Sequence, residues 1–140
     1  MHCPITGINI PRFLLALVAG FAFKFGFDFV VHQNILKDLY EQTADLWRPH
    51  ENMEECLPIM MSYSVLLVGI IGYIFTRNFE GKGIMEGLRF GLPMGILLAL
   101  MMSSSYIWMP IPIELAIGWA ASGLGLGLGI GVIFALLYKK

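Results

Sequence analysis

Four stretches of this chain are apolar over the length a helix needs to cross a bilayer, and the polar residues gather between them. A hydrocarbon core about 30 Å thick takes roughly 20 helical residues. The stretches run over 13–36, 57–76, 84–107 and 115–138. Lys24 and Asp28 interrupt the first, the second and fourth hold no charge, and the third is uncharged from Phe90 onward. They predict an all-α fold: a four-transmembrane-helix bundle forming one integral membrane domain over residues 1–140. A short amphipathic outer segment is expected between helices 1 and 2. There Ile35, Leu36, Leu39, Thr43, Leu46 and Trp47 recur at helical spacing, with Lys37, Asp38, Glu41 and Asp45 between them, a pattern suited to the membrane interface. Pro49 is expected to end that segment, and Asn52 with Glu55 to form a capping box opening the second span.

Composition agrees with lipid as the solvent. Hydrophobic residues make up 57 % of the 140 and charged residues 14 %, where soluble domains carry about 25 % charged. Mean hydropathy is +0.73. With 9 Lys+Arg against 10 Asp+Glu there is no basic excess for nucleic acid, and two cysteines cannot build a disulfide framework. The first span is longer than a cleavable signal, contains Lys24 and meets no small-residue cleavage site, so it is read as retained. Arg12, Arg77, Lys82, Arg89, Lys139 and Lys140 fall on one side of a four-span topology; Lys37 and Arg48 fall on the other, amid Asp38, Glu41, Asp45, Glu51, Glu54 and Glu55. Basic loops stay cytoplasmic, which predicts both termini on the cytoplasmic side.

Apolar burial cannot pull helices together in lipid, so small residues that let backbones approach must contribute. Gly83, Gly87, Gly91 and Gly95 step by four along the third span, Gly123, Gly127 and Gly131 along the fourth, and Gly125 with Gly129 makes a second row. The third and fourth spans are expected to pack tightly within one chain. Pro93 is expected to bend the third span. Tyr63, Tyr73, Tyr106, Trp108 and Tyr138 have the positions of interface anchors.

The polar residues inside the spans need explaining. Lys24, Asp28 and His32 are four apart and lie within roughly 80° of one helix face. Lys24 is twelve residues past Arg12, about 18 Å along the axis, near mid-membrane. A charge there costs about 2.5–3.5 kcal/mol or more on insertion scales, and Asp28 is the nearest offset. With Glu114, which opens the fourth span, these residues form a polar stripe. His32, Asp28 and Glu114 could hold a divalent cation, or His32 and Glu114 could meet in a hydrogen bond. A softer alternative sets Met53, Cys56 and Met60 on one helix face, with His50 and Met61 nearby, as Cu(I) ligands; the same methionines are ordinary packing material. No phosphate loop, nucleophile elbow or HExxH is present, so no catalytic residue and no cofactor is predicted.

His32, Leu36, Tyr40, Thr43, Leu46-Trp47-Arg48-Pro49 and Met53, then Glu80-Gly81-Lys82-Gly83 and Glu86-Gly87-Leu88-Arg89-Phe90-Gly91, together resemble an uncharacterised group of small four-helix bacterial inner-membrane proteins. The likeness runs from the first span into the third. It implies the four-span architecture and the bacterial inner membrane, and carries no activity with it. Trp47, Arg48 and Pro49 are the residues to expect at a partner contact, the alternative being that Trp47 and Arg48 seat the loop on lipid headgroups. The reading is a non-catalytic membrane protein, a self-associating or accessory subunit of a larger complex. Its partners are the lipid bilayer and other membrane subunits or a second copy, not nucleic acid. The alternative is a small ion or metal transporter or channel working through the stripe on the first helix.

Overall fold

Pro11 in the first turn and the Asn9 side chain, which accepts from the Arg12 N–H, start the first helix, as expected where the leading N–H groups have no helical partner. In this computed structural model, which describes residues 2–140 apart from the side chains of His50 and Glu51, six α-helices follow. They are α1 (Ile10–Val30), α2 (Lys37–Gln42), α3 (His50–Glu55), α4 (Leu57–Arg77), α5 (Ile84–Ser103) and α6 (Ile113–Leu137). A wide π turn, Val31–Ile35, extends α1, and short 3₁₀ turns follow α2 and α5. The described residues contain no strand, only a lone antiparallel bridge from His2 to Asn9. Four segments are long and apolar enough to span: Ile10–Ile35, Leu57–Arg77, Ile84–Ile107 and Ile113–Leu137. Their ends lie within a turn of those expected, and the chain is a multi-pass, all-α membrane protein.

The fourth span is the axis of the molecule. α5 packs along the length of α6, α1 packs on both α6 and α4, and α4 also reaches α6, whereas the backbones of α4 and α5 stay apart and meet through the rings of Phe75 and Phe90. α6 takes this place because its glycines present bare backbone. A Cβ on Gly87 would stand 2.7 Å from the Gly131 carbonyl oxygen, one on Gly91 2.6 Å from that of Gly127, one on Gly95 2.7 Å from that of Leu124, and one on Gly123 2.6 Å from the Ala99 nitrogen. The two ladders therefore interlock inside one chain, main chain against main chain. The second row does different work. Gly125 and Gly129 receive the rings of Phe27 and Phe23 from α1. Gly72 on α4 receives the ring of Phe134, which also lies near Phe13 and Phe75.

Four local expectations are corrected. Gly83 is not part of the ladder: it precedes α5 at φ 66 with open space where a Cβ would go. Tyr138 is no interface anchor, being 1 % exposed, edge-on to Phe79, with its hydroxyl accepting from the Asn9 N–H. Tyr63, Tyr73, Tyr106 and Trp108 are exposed. The outer segment breaks at Thr43 rather than Pro49, because the Thr43 hydroxyl bonds back to the Leu39 and Tyr40 carbonyls and competes with the helix. Asn52 and Glu55 lie inside α3, whose N-cap is Pro49, and Cys56 caps α4 without a side-chain bond. Pro58, in the first turn of α4, supplies the helical φ that a capping box would otherwise help to set. Pro93 sits inside α5 without ending it.

The α5–α6 seam should be the most substitution-sensitive part of the fold. Gly91→Leu or Gly127→Leu is expected to lower the unfolding midpoint of the detergent-solubilised protein by more than the roughly 1–3 kcal/mol of ordinary overpacking, because the clash is with backbone. Gly26→Ala, on α1 with open space around it, should be neutral or stabilising by up to about 1 kcal/mol.

Candidate functional site

Two polar clusters stand at opposite ends of the bundle. One, the far end, lies where α1 passes into α2. The other, the basic end, holds both chain termini and the loop between α4 and α5.

On the approach to the far end, midway along the first span, the helical i, i+4 spacing lets the Lys24 ammonium close on the Asp28 carboxylate. The side chains are 14 % and 28 % exposed, so each charge finds its counter-ion on its own helix. One turn further on, the chain widens into the π turn, where the Leu36 N–H bonds the Val31 carbonyl at 2.8 Å. Such turns recur at functional positions. Leu36, 5 % exposed, plugs the notch left by Gly118 on α6. That contact seats α2 against α6 and carries Tyr40 between two partners. The Trp119 indole N–H donates to the Tyr40 hydroxyl oxygen at 2.6 Å, and His32 Nδ1 lies 2.7 Å from the same oxygen. Trp47 completes a roof, edge-on to Tyr40 and Trp119 with ring centroids 5.4 and 6.1 Å away, its own N–H donating to the Thr43 hydroxyl.

Within this trio, one polarity gives both the indole N–H and the phenol O–H a partner. An indole can only donate, so the Tyr40 oxygen accepts from Trp119 and its single hydrogen goes to His32 Nδ1. His32 must then be neutral with its proton on Nε2. Burial raises the Tyr40 phenol above its ordinary value; the Trp119 bond opposes this and the Asp28 charge adds to it. The phenol therefore keeps the proton that the network needs.

The other predicted site residues are placed elsewhere. Glu114 is exposed on the first turn of α6; the partner of His32 is Tyr40, not Glu114. Among the described residues no three of His, Cys, Asp and Glu come together as metal ligands, so the set of His32, Asp28 and Glu114 is not assembled. Met53 and Met60 are exposed, Cys56 is half-buried with its sulfur 3.7 Å from an Arg48 nitrogen, and the His50 side chain lies outside the described residues. Trp47 faces inward as part of the roof, while Arg48 and Pro49 stay exposed. Tyr40 and Trp119 are site residues that spacing alone did not expose. The available signal was Trp119, a hydrogen-bond donor within a span otherwise devoid of charge.

At the basic end, Gly81 and Gly83 adopt φ 77 and 66, open to glycine without strain. The loop so formed aims the N–H groups of Glu80 and Lys82 at the Glu86 carboxylate, at 2.6 and 2.7 Å. Glu86 is only 4 % exposed, and these bonds are what make its burial tolerable. Glu80, on the surface of the loop, is gripped through one oxygen by Lys82 and Arg89, each at 2.6 Å. Those bonds, Lys82's first, hold its carboxyl below the ordinary range. The contact is therefore complete above that range and is lost as pH falls through the lowered value. Nearby, Arg77 donates to the Thr6 carbonyl at 3.1 Å and fastens the N-terminal turn. In that turn the Thr6 hydroxyl, then the Thr6 and Ile5 backbone, lower the Cys3 thiol.

Comparison of the chain with protein-family models, with curated proteins and with solved structures finds no match.

Nitrogen NMR of histidine-labelled protein at neutral pH should show His32 as the Nε2–H tautomer, and an Nδ1–H form would contradict the network. Tyr40→Phe should cost about 1–3 kcal/mol in unfolding free energy, since it strands the buried indole N–H of Trp119; Tyr63→Phe, on the exposed surface, should cost little.

Proposed function

We propose that this chain is a non-catalytic integral membrane subunit of a bacterial inner membrane, built to associate with a second copy or a larger membrane complex. The observation that carries the reading is that the charged pair and the histidine of its first span find their partners within one chain. Lys24 meets Asp28, and His32 meets Tyr40 and through it Trp119. Groups committed in this way hold the helices in register and leave little to carry a substrate. Meanwhile α5 packs its glycines, with Phe90, Met94 and Leu98, internally and presents Met85, Leu88, Leu92, Ile96 and Leu100 outward. In lipid such a face associates through shape and packing, not through the hydrophobic effect. The competing reading is a small ion or metal transporter working through the same stripe, and the continuity of the stripe from Lys24 to His32 favours it.

The basic end, with Arg12, Arg77, Lys82, Arg89, Lys139 and Lys140, belongs in the cytoplasm by the bias of positive charge. The two native cysteines test this directly. On intact cells a membrane-impermeant maleimide should label Cys56 and spare Cys3 until the membrane is opened. Cys3 is half-buried like Cys56 and has a lowered thiol, so a selective protection of Cys3 would have to come from the bilayer; the reverse pattern would invert the topology.

Charge deletion separates the two functional readings. Lys24→Leu alone should destabilise, because it leaves Asp28 unpaired, whereas Lys24→Leu with Asp28→Leu should be neutral or stabilising, as for buried pairs replaced by apolar residues. Under the subunit reading the double variant keeps its fold, and any loss appears in association, read by cross-linking in native membranes. Retained assembly with abolished cation flux in liposomes would establish the transporter instead.

A further inference from the structure

Lys82, Glu86 and Arg89 supply the charged lining of a cavity of about 430 Å³ at the basic end, and the rest of its wall is apolar: Met85, Leu88 and Leu92 of α5 and Leu128 of α6. The cavity lies between α5 and α6, and its wall residues Met85, Leu88 and Leu92 are exposed on α5, so its apolar part is continuous with the surface that lipid chains cover. The two cations already hold one anion, since both grip a single oxygen of Glu80 at 2.6 Å. The other carboxylate of the cluster, Glu86, has its oxygens occupied by the backbone N–H groups of Glu80 and Lys82.

We propose that this cavity is a binding site for one anionic phospholipid, with the phosphodiester taken by Lys82 and Arg89 and an acyl chain lying along Leu88, Leu92 and Leu128. Charge complementarity selects the headgroup and the apolar walls select an amphiphile over a free anion. Basic pockets between helices at the cytoplasmic side of membrane proteins suit such headgroups, and the fork of arginine suits phosphate oxygens. Glu80 occupies the place of the phosphate in the lipid-free state, so it competes with the headgroup and the lipid displaces it from one or both cations. The site does not depend on whether the chain acts as a subunit or a transporter.

The test titrates the full chain in a neutral detergent with short-chain phosphatidylglycerol, with phosphatidylcholine of the same chain length and with inorganic phosphate, read by native mass spectrometry. Phosphatidylglycerol should bind saturably at one site, phosphatidylcholine far more weakly, and inorganic phosphate should not displace the bound lipid. Lys82→Gln or Arg89→Gln should weaken binding about fivefold each, and the pair about thirtyfold. Glu80→Gln, which removes the competing carboxylate, should tighten it, and Leu92→Trp, which fills the apolar part without touching a charge, should weaken it. Lys139→Gln with Lys140→Gln should change little. An equal loss in that terminal pair, equal binding of phosphatidylcholine, weaker binding in Glu80→Gln or displacement by phosphate would each overturn the proposal. The opposite sign expected for Glu80→Gln keeps the test decisive even if a cation-deletion variant folds poorly.

Discussion

The structure depends on how closely the backbones of α5 and α6 approach. Lipid tails are as apolar as leucine, so nothing expels these helices from their solvent, and they must be held by contact itself. Gly87, Gly91 and Gly95 on one side and Gly123, Gly127 and Gly131 on the other remove every Cβ that would keep the main chains apart. With side chains absent from that face, α6 can also accept α1 and α4 on its remaining faces. The aromatic rings of Phe23, Phe27 and Phe134 fill the notches between those helices. One helix thus organises three others, and the absence of charge from α6 beyond Glu114 in its first turn follows from its place.

Polar groups are admitted to this apolar frame only in closed sets. Within the membrane, Lys24 and Asp28 neutralise each other on one helix. At the far interface, Trp119, Tyr40 and His32 pass hydrogen bonds in one direction through the Tyr40 oxygen. At the basic end, Glu86 is buried because the loop before it turns two N–H groups inward. Each set meets the same cost: a polar group without a partner in low dielectric loses several kcal/mol. The Ser122 hydroxyl, buried and without a partner, is one side-chain exception among the described residues.

The two ends differ in kind. The far end is an aromatic roof locked by short neutral hydrogen bonds, while the basic end exposes charges that share one surface carboxylate beside an open cavity. The first arrangement suits a rigid closure. The second suits exchange, because exposed ion pairs are weak and can be traded for a better anion.

Much of the architecture was legible along the chain. Span length and charge depletion are one-dimensional properties, so the four crossings, and the i, i+4 meeting of Lys24 with Asp28, could be read from spacing. So could the glycine rows, since a step of four marks a helix face whatever lies opposite. What faces what could not be read. The partner of His32 is Tyr40 rather than Glu114 because Leu36 fits the notch at Gly118 and swings α2 over α6. Tyr138 turned inward because Phe79 and the N-terminal turn close over it. Glu86 found its donors only once two glycines had bent the loop back. Periodicity specifies the face a residue shares with its neighbours in sequence, whereas the partner across a gap is chosen by the packing of separate helices.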